Sequence, residues 1–266
     1  MKKTLLALSL FALTAQPFAA RSAQEDATLP VAITFEAGDG LEVTADLYFP
    51  HKNSKVPFIV LFHQAGWSRG EYLEIAPKLN KLGFNCMAVD QRSGGAVNGV
   101  ENATHAAAKA KGLATEYPDA LPDMIAALEL ARAKYGKRKV IAWGSSYSSA
   151  LVLKIAGTRP ELMDGVMSFS PGEYFERFGK SKTWISETAA EITCPVWITS
   201  AKKEKGAWMP IFAKIKGKKK YSFLPETAGN HGSRALWEKF DDSPAYWASV
   251  EMFLKDYFID KKAKTW

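Results

Sequence analysis

The chain has 266 residues, 47% of them hydrophobic and 24% charged, which suits one globular domain with a sizeable core. Its net charge of +7 is modest and shows no basic stripe interleaved with aromatic residues, which excludes a nucleic-acid-binding surface. Beyond the N-terminal run no apolar stretch approaches the length of a membrane span.

The elements follow in chain order. Met1-Lys2-Lys3 and the uncharged run 5–15 read as a secretory signal peptide, too short to cross a bilayer. Ala20-Arg21-Ser22 puts small residues at both key positions, so the mature chain is expected to start near Ala23, with Ala20 as the alternative end. The expected division is a leader over 1–22 and a single domain over 23–266, periplasmic or secreted from a bacterium. No cysteine follows the run, so a lipoprotein anchor is not expected. Lys2, Lys3 and Arg21 would leave with the leader, bringing +7 to +4, and this leaves room for weak association with anionic envelope surfaces.

Strand and helix patterns then alternate. Residues 33–36 and 41–49 form a hairpin about Gly38-Asp39-Gly40, with apolar residues at every second position from Leu41 to Phe49. The unbroken apolar run 56–62 is a buried strand. Ser68-Arg69-Gly70-Glu71 is a capping box opening a helix to Leu82, and residues 85–90 are the next strand. Residues 92–121, rich in Gly, Ala and Asn, form a loop long enough to be functional or mobile. Residues 122–135 are an amphipathic helix with Met124, Leu128 and Ala131 on one face and Gly136 as its stop. Strands follow from Val140, at 165–169, at 193–200 and from Tyr221, and 246–258 is the closing helix. Such alternation calls for an α/β fold with a doubly wound, mostly parallel sheet.

The chemistry centres on Gly144-Ser145-Ser146-Tyr147-Ser148, a sharp turn between strand and helix with Ser146 at its apex. Such a turn forces the apical residue into a sparsely populated backbone conformation, so the residues two positions away must be small, as Gly144 and Ser148 are. The pattern resembles the nucleophile elbow of the α/β-hydrolases, and the chain is similar to that superfamily from about Val31 onward. An elbow serine needs a general base. Of His51, His63, His105 and His231, only His231 follows Ser146, as the superfamily order of serine, acid, histidine requires. Where relatives show Gly-x-x-Asp, this chain has Ala201-Lys202-Lys203-Glu204. No aspartate lies between Asp164 and Asp241, so the resemblance implies a glutamate as orienting acid: Glu204 by position, with Glu173 after the preceding strand as the alternative. His63-Gln64-Ala65-Gly66 resembles the family's His-Gly-x-Gly turn, which implies the N–H groups of Ala65 and Tyr147 as oxyanion donors, with His63 holding the turn. Gln64 departs from the family's common glycine.

Only about twenty residues separate Pro171 from Glu191, too few for a separate lid domain. The expected body is compact with an open cleft, similar to the dienelactone hydrolase and small-esterase branches. Trp67, Tyr174, Phe175 and Trp208, together with Tyr147, are candidates to line it. The resemblance implies a serine hydrolase without cofactor or metal that cleaves a small-molecule carboxylic ester through an acyl-enzyme, with a peptide or thioester as alternative substrate. A non-catalytic binding protein on the same fold is the competing reading, favoured by the substituted acid and Gln64. Cys86 and Cys194 belong to strands that the family order separates by three others, about four spacings of ~4.8 Å. A disulfide reaches only about 7 Å between Cα atoms, so free thiols are expected. The basic cluster 214–220 precedes the last strand, away from the site, and reads as a solvated face.

Overall fold

The computed structural model describes residues 29–53 and 55–259. The leader expected at 1–22 and its cleavage site lie outside the described residues. Strands β1 (Val31–Glu36) and β2 (Glu42–Tyr48) form the expected hairpin, turned by Gly40 at φ 76°. β3 (Phe58–Phe62) and β4 (Asn85–Val89) pair in parallel, and β2 lies antiparallel against β4. A small hairpin of β5 (Ala96–Val97) and β6 (Val100–Glu101) stands apart from the main sheet. β7 (Val140–Ser145), β8 (Gly165–Phe169), β9 (Val196–Thr199) and β10 (Lys220–Phe223) extend the parallel part from β3. The sheet order is β1-β2-β4-β3-β7-β8-β9-β10. The chain leaves β3 toward β4 and later returns to its other side as β7, and this reversal opens a crevice at the carboxyl ends of the parallel strands.

Alternate residues of the central strands supply the two cores, as the strand period of two requires. Phe58, Val60, Phe62, Val140 and Ala142 pack on one face with α3 (Leu121–Leu130), α4 (Tyr147–Thr158) and α6 (Lys205–Lys214). Ile59, Leu61, Ile141 and Trp143 pack on the other with α1 (Ile75–Lys81) and α7 (Ser243–Tyr257). α2 (Ala103–Ala110) lies beside β2 on the first face. The segment between β8 and β9 holds only a 3-10 turn and the short helix α5 (Ser186–Ala189), and the described residues form no separate lid domain. Cys86 on β4 and Cys194 before β9 are free and stand four strands apart. Among the described residues no helix is long and apolar enough to cross a membrane.

Two expected elements differ. The helix read from Ser68 to Leu82 is a 3-10 turn, Arg69–Tyr72, followed by α1. Pro77 has no N–H to donate and clashes in a helix interior, so the helix restarts at Ile75, where proline falls in the first turn. Ser68 does cap its turn by accepting from the Gly70 N–H, but Glu71 does not close the box and points into the protein instead. The long loop 92–121 is largely structured. Asn98-Gly99, both at positive φ, turn the β5–β6 hairpin. Asn102 then caps α2 and ties it to the carbonyls of Trp67 and Gln91. Arg92 anchors the start of the loop, its guanidinium shared between the buried Asp123 and the more exposed Asp39. Burial pushes the Asp123 carboxyl up against the opposing pull of Arg92.

Arg92→Met should therefore strand a buried carboxylate and destabilise the fold by about 3–5 kcal/mol in urea denaturation. The deficit should shrink as the pH falls, because neutral Asp123 needs no counter-ion.

Candidate active site

The site gathers at the carboxyl ends of β3, β7, β8, β9 and β10. Ser146 follows β7 with φ 59° and ψ −121°, the strained conformation expected of the turn's apex. A side chain on Gly144 would come within 2.4 Å of the Ser148 carbonyl, so only glycine fits where β7 passes the start of α4. The Ser148 hydroxyl donates to Phe62 O of β3 and accepts from the Ser145 N–H, binding the turn to the neighbouring strand. Smallness alone had singled out Ser148 in the sequence, and its hydroxyl is used as well.

The Ser146 Oγ lies 2.8 Å from His231 Nε2, and His231 Nδ1 lies 2.6 Å from Glu204 Oε1. Glu204 Oε2 accepts from the Ser170 hydroxyl at 2.7 Å and from the Ala201 N–H at 3.2 Å. Burial alone would raise the Glu204 carboxyl, but the hydrogen bonds from His231, Ser170 and Ala201 outweigh it and hold the group below the usual carboxylate range. Ionised Glu204 accepts only, so Nδ1 carries the proton and Nε2 faces the serine as acceptor. Glu173, the alternative acid, is engaged elsewhere: it accepts from the Ile185 and Ser186 N–H groups and the Ser186 hydroxyl at the start of α5.

Ser170, at the end of β8, is a site residue that the sequence reading passed over. Its φ is 60°, its hydroxyl donates to Glu204 and accepts from the Gly232 N–H, and so it joins the acid loop to the histidine loop. Gly232 itself has φ 71°, and a Cβ there would stand 2.5 Å from Ser145 Oγ.

Residues 64–67 form a turn closed by the Trp67 N–H on Gln64 O, with Gly66 at φ 73°. His63 is fully buried, and burial pushes its pKa down. As neutral imidazole it donates from Nδ1 to Gln64 O, while Nε2 accepts from the Gln91 N–H and Asn102 Nδ2. The Gln64 carbonyl belongs to the same planar peptide unit as the Ala65 N–H, so pinning one fixes the direction of the other. The Tyr147 N–H is the first of α4 and has no acceptor within the helix. His51 and His105 each bind a backbone carbonyl, that of Asn80 and that of Arg92.

The candidate lining residues divide. Trp67, stacked on Trp237, and Tyr174, whose hydroxyl donates to Ser170 O, are half-buried beside the site loops. Phe175 and Trp208 are buried packing residues: Phe175 meets the Trp184 edge, and Trp208 faces the core from α6 with its indole N–H on Ser200 Oγ. The Tyr147 side chain is also buried, under the Tyr117 ring.

A family model described as serine aminopeptidase, S33 matches residues 54–193. In fold the chain is similar to an esterase of Pyrococcus furiosus, at 15% identity over 93% of this chain and 100% of that one, with a TM-score of 0.66. It is likewise similar to a dienelactone hydrolase of Anabaena variabilis, at 14% identity over 86% and 98% of the two chains, with a TM-score of 0.65. A cold-adapted esterase from an Arctic intertidal metagenomic library aligns at 21% identity over 86% and 93%, with a TM-score of 0.59. No curated protein matches the chain.

Replacing Ser170 by alanine should leave the Gly232 N–H without its acceptor and cost about 1–3 kcal/mol in urea denaturation. It also removes a donor from Glu204, so the titration of that carboxyl, followed by NMR, should move upward.

Proposed function

The chain belongs to the serine aminopeptidase, S33 family of α/β-hydrolases, and from that premise we propose that it is an exported serine hydrolase that cleaves a small carboxylic ester. The observation that carries this reading is the unbroken hydrogen-bonded series from Ser146 Oγ through His231 to Glu204. In the proposed reaction Ser146 Oγ attacks the acyl carbon while His231 Nε2 takes its proton, and Glu204 stabilises the resulting imidazolium. The negative oxygen of the tetrahedral intermediate is held by the Ala65 and Tyr147 N–H groups. Collapse expels the alkoxide, which receives the proton from His231, and leaves an ester on Ser146. A water, deprotonated by His231, then releases the acid and restores the serine.

Support for an ester comes from the esterases among the proteins of similar fold. The family's own description favours a second reading, hydrolysis of the amide at a peptide N-terminus, on the same triad. Export rests on the leader pattern of the first 22 residues.

A fluorophosphonate should label the wild-type protein at Ser146, and Ser146→Ala should lose both labelling and hydrolysis of p-nitrophenyl esters while keeping its melting temperature. Equal turnover by the alanine variant overturns the serine mechanism; labelling without ester turnover, but with release from aminoacyl p-nitroanilides, selects the peptidase reading. Glu204→Gln should lower kcat by about 10⁴-fold, the scale known from another triad enzyme, whereas Glu173→Gln should leave it near wild type.

A further inference from the structure

Glu71 lies beneath the site, fully buried, and takes no part in the reaction proposed above. Its carboxylate nevertheless meets two of the loops that build the site. Oε2 accepts from the Gln64 N–H at 2.8 Å, in the turn that carries Ala65. Oε1 accepts from the Ser145 hydroxyl at 2.6 Å, one residue before the nucleophile. Through that hydroxyl it reaches a third loop, because Ser145 Oγ in turn accepts from the Ser233 N–H, two residues after His231. The backbone of Glu71 joins in as well, its carbonyl accepting from the Trp237 indole N–H at 2.9 Å.

We propose that Glu71 is a positioning residue for acyl transfer, its carboxylate holding the oxyanion turn, the nucleophile elbow and the histidine loop in one fixed arrangement. The inference rests on the serine-hydrolase reading above. Gln64 is pinned on both sides: its N–H by Glu71, and its carbonyl by the His63 imidazole and the Trp67 N–H. The following peptide, which presents the Ala65 N–H, therefore has little freedom to turn toward or away from Ser146. Two acceptor oxygens on one rigid group are what the arrangement requires, since both facing partners donate. A glutamine at this position keeps the shape but puts an NH₂ where one acceptor was, so either the Gln64 N–H loses its acceptor or the Ser145 hydroxyl must turn from donor to acceptor.

The charge of this residue does not itself favour folding. Burial pushes the Glu71 carboxyl up to about 7, against the hydrogen bonds from Ser145 and Gln64. The titratable and charged groups that face it are Tyr72 of its own turn, Tyr147 of α4, and His231 and Arg234 of the histidine loop. A carboxyl raised in the folded state favours folding while it is protonated, and that contribution is lost as the pH rises from about 4.5 to about 7. Above that range the fold retains a buried anion that disfavours it, at the place where three site loops meet.

The test compares wild type with Glu71→Gln, Ser145→Ala and the double variant. Each is assayed for p-nitrophenyl ester kinetics, for inhibition by a trifluoromethyl ketone, which captures the serine as a tetrahedral oxyanion, and for melting temperature between pH 4.5 and 8. Glu71→Gln should lower kcat by about 10²-fold, the scale of a 1 Å misplacement, with KM little changed and inhibitor affinity falling in parallel. Its melting temperature relative to wild type should rise with pH over that range, opposite in direction to the activity. Ser145→Ala should lose less, and the double variant should fall short of the sum of the two losses, because both break one linkage. Wild-type kcat/KM and inhibitor affinity in Glu71→Gln would overturn the proposal. A loss of kcat matched by a lower melting temperature at pH 8 would also overturn it, reducing Glu71 to a packing residue. If wild-type protein is neither labelled at Ser146 by a fluorophosphonate nor active on esters, the serine-hydrolase reading fails first, and this inference with it.

Discussion

The backbone at Ser146 is the constraint on which the rest of the site depends. A serine at φ 59° and ψ −121° carries strain of about 1–3 kcal/mol, and such a conformation persists only where its surroundings over-determine it. Here they do so from both neighbouring strands. The Ser146 N–H donates to Phe169 O of β8, and the Ser148 hydroxyl donates to Phe62 O of β3. Gly144 lets α4 approach β7 so closely that the helix start sits directly behind the hydroxyl. The strain is thus borne by a parallel sheet whose central strands are fully buried, which is why the turn sits on β7 with a strand on either side.

The adjacent strand ends in the same manner. Ser170 also has a left-handed backbone, and its N–H donates to Thr199 O of β9 as that of Ser146 does to β8. One step along the sheet, the same device turns a serine hydroxyl toward Glu204 and the Gly232 N–H, where that of Ser146 meets His231. Together the two turns bring Glu204 and His231 to the Ser146 hydroxyl. The loop 92–121 adds rigidity on the other side, since Asn102 reaches both His63 and the Trp67 carbonyl. The turn at 64–67 is held there from beneath and from behind.

The alternation of strands and helices was legible because buried parallel strands are unbroken apolar runs, such as Phe58 to Phe62, and helices show their own period and stops, such as Gly136. Ser146, His231 and Glu204 were legible because chain order restricts them and the composition leaves few candidates. The remainder was hidden for reasons of chemistry. Ser170 and Ser145 act through hydroxyls that make bonds over 62 and 88 residues of sequence, and no local pattern carries that information. Glu71 followed a serine at capping-box spacing, and the local signal was overridden by burial and by donors from other loops. Trp208 and Phe175 show the opposite error, since a large aromatic near a site is as well suited to packing as to contact with substrate. The Asn98-Gly99 hairpin was readable but lay inside a stretch whose length suggested a functional or mobile loop.

Two glutamates flank the histidine loop, and burial with donor supply drives them to opposite states. Glu204 keeps about 29% of its side chain exposed and is served by His231, Ser170 and Ala201, so its charge is favoured. Glu71 has no exposure and two neutral donors, so its charge is opposed until near neutral pH. The glutamate paired with His231 is therefore the one whose charge the fold secures. The deeper carboxylate is costly where it lies, yet an apolar residue there would leave the Gln64 N–H and the Ser145 hydroxyl without acceptors in a region water does not reach. Two loops bring donors to this carboxylate at one buried point and a third reaches it through Ser145, so the geometry that calls for an acceptor with two oxygens also makes its charge costly.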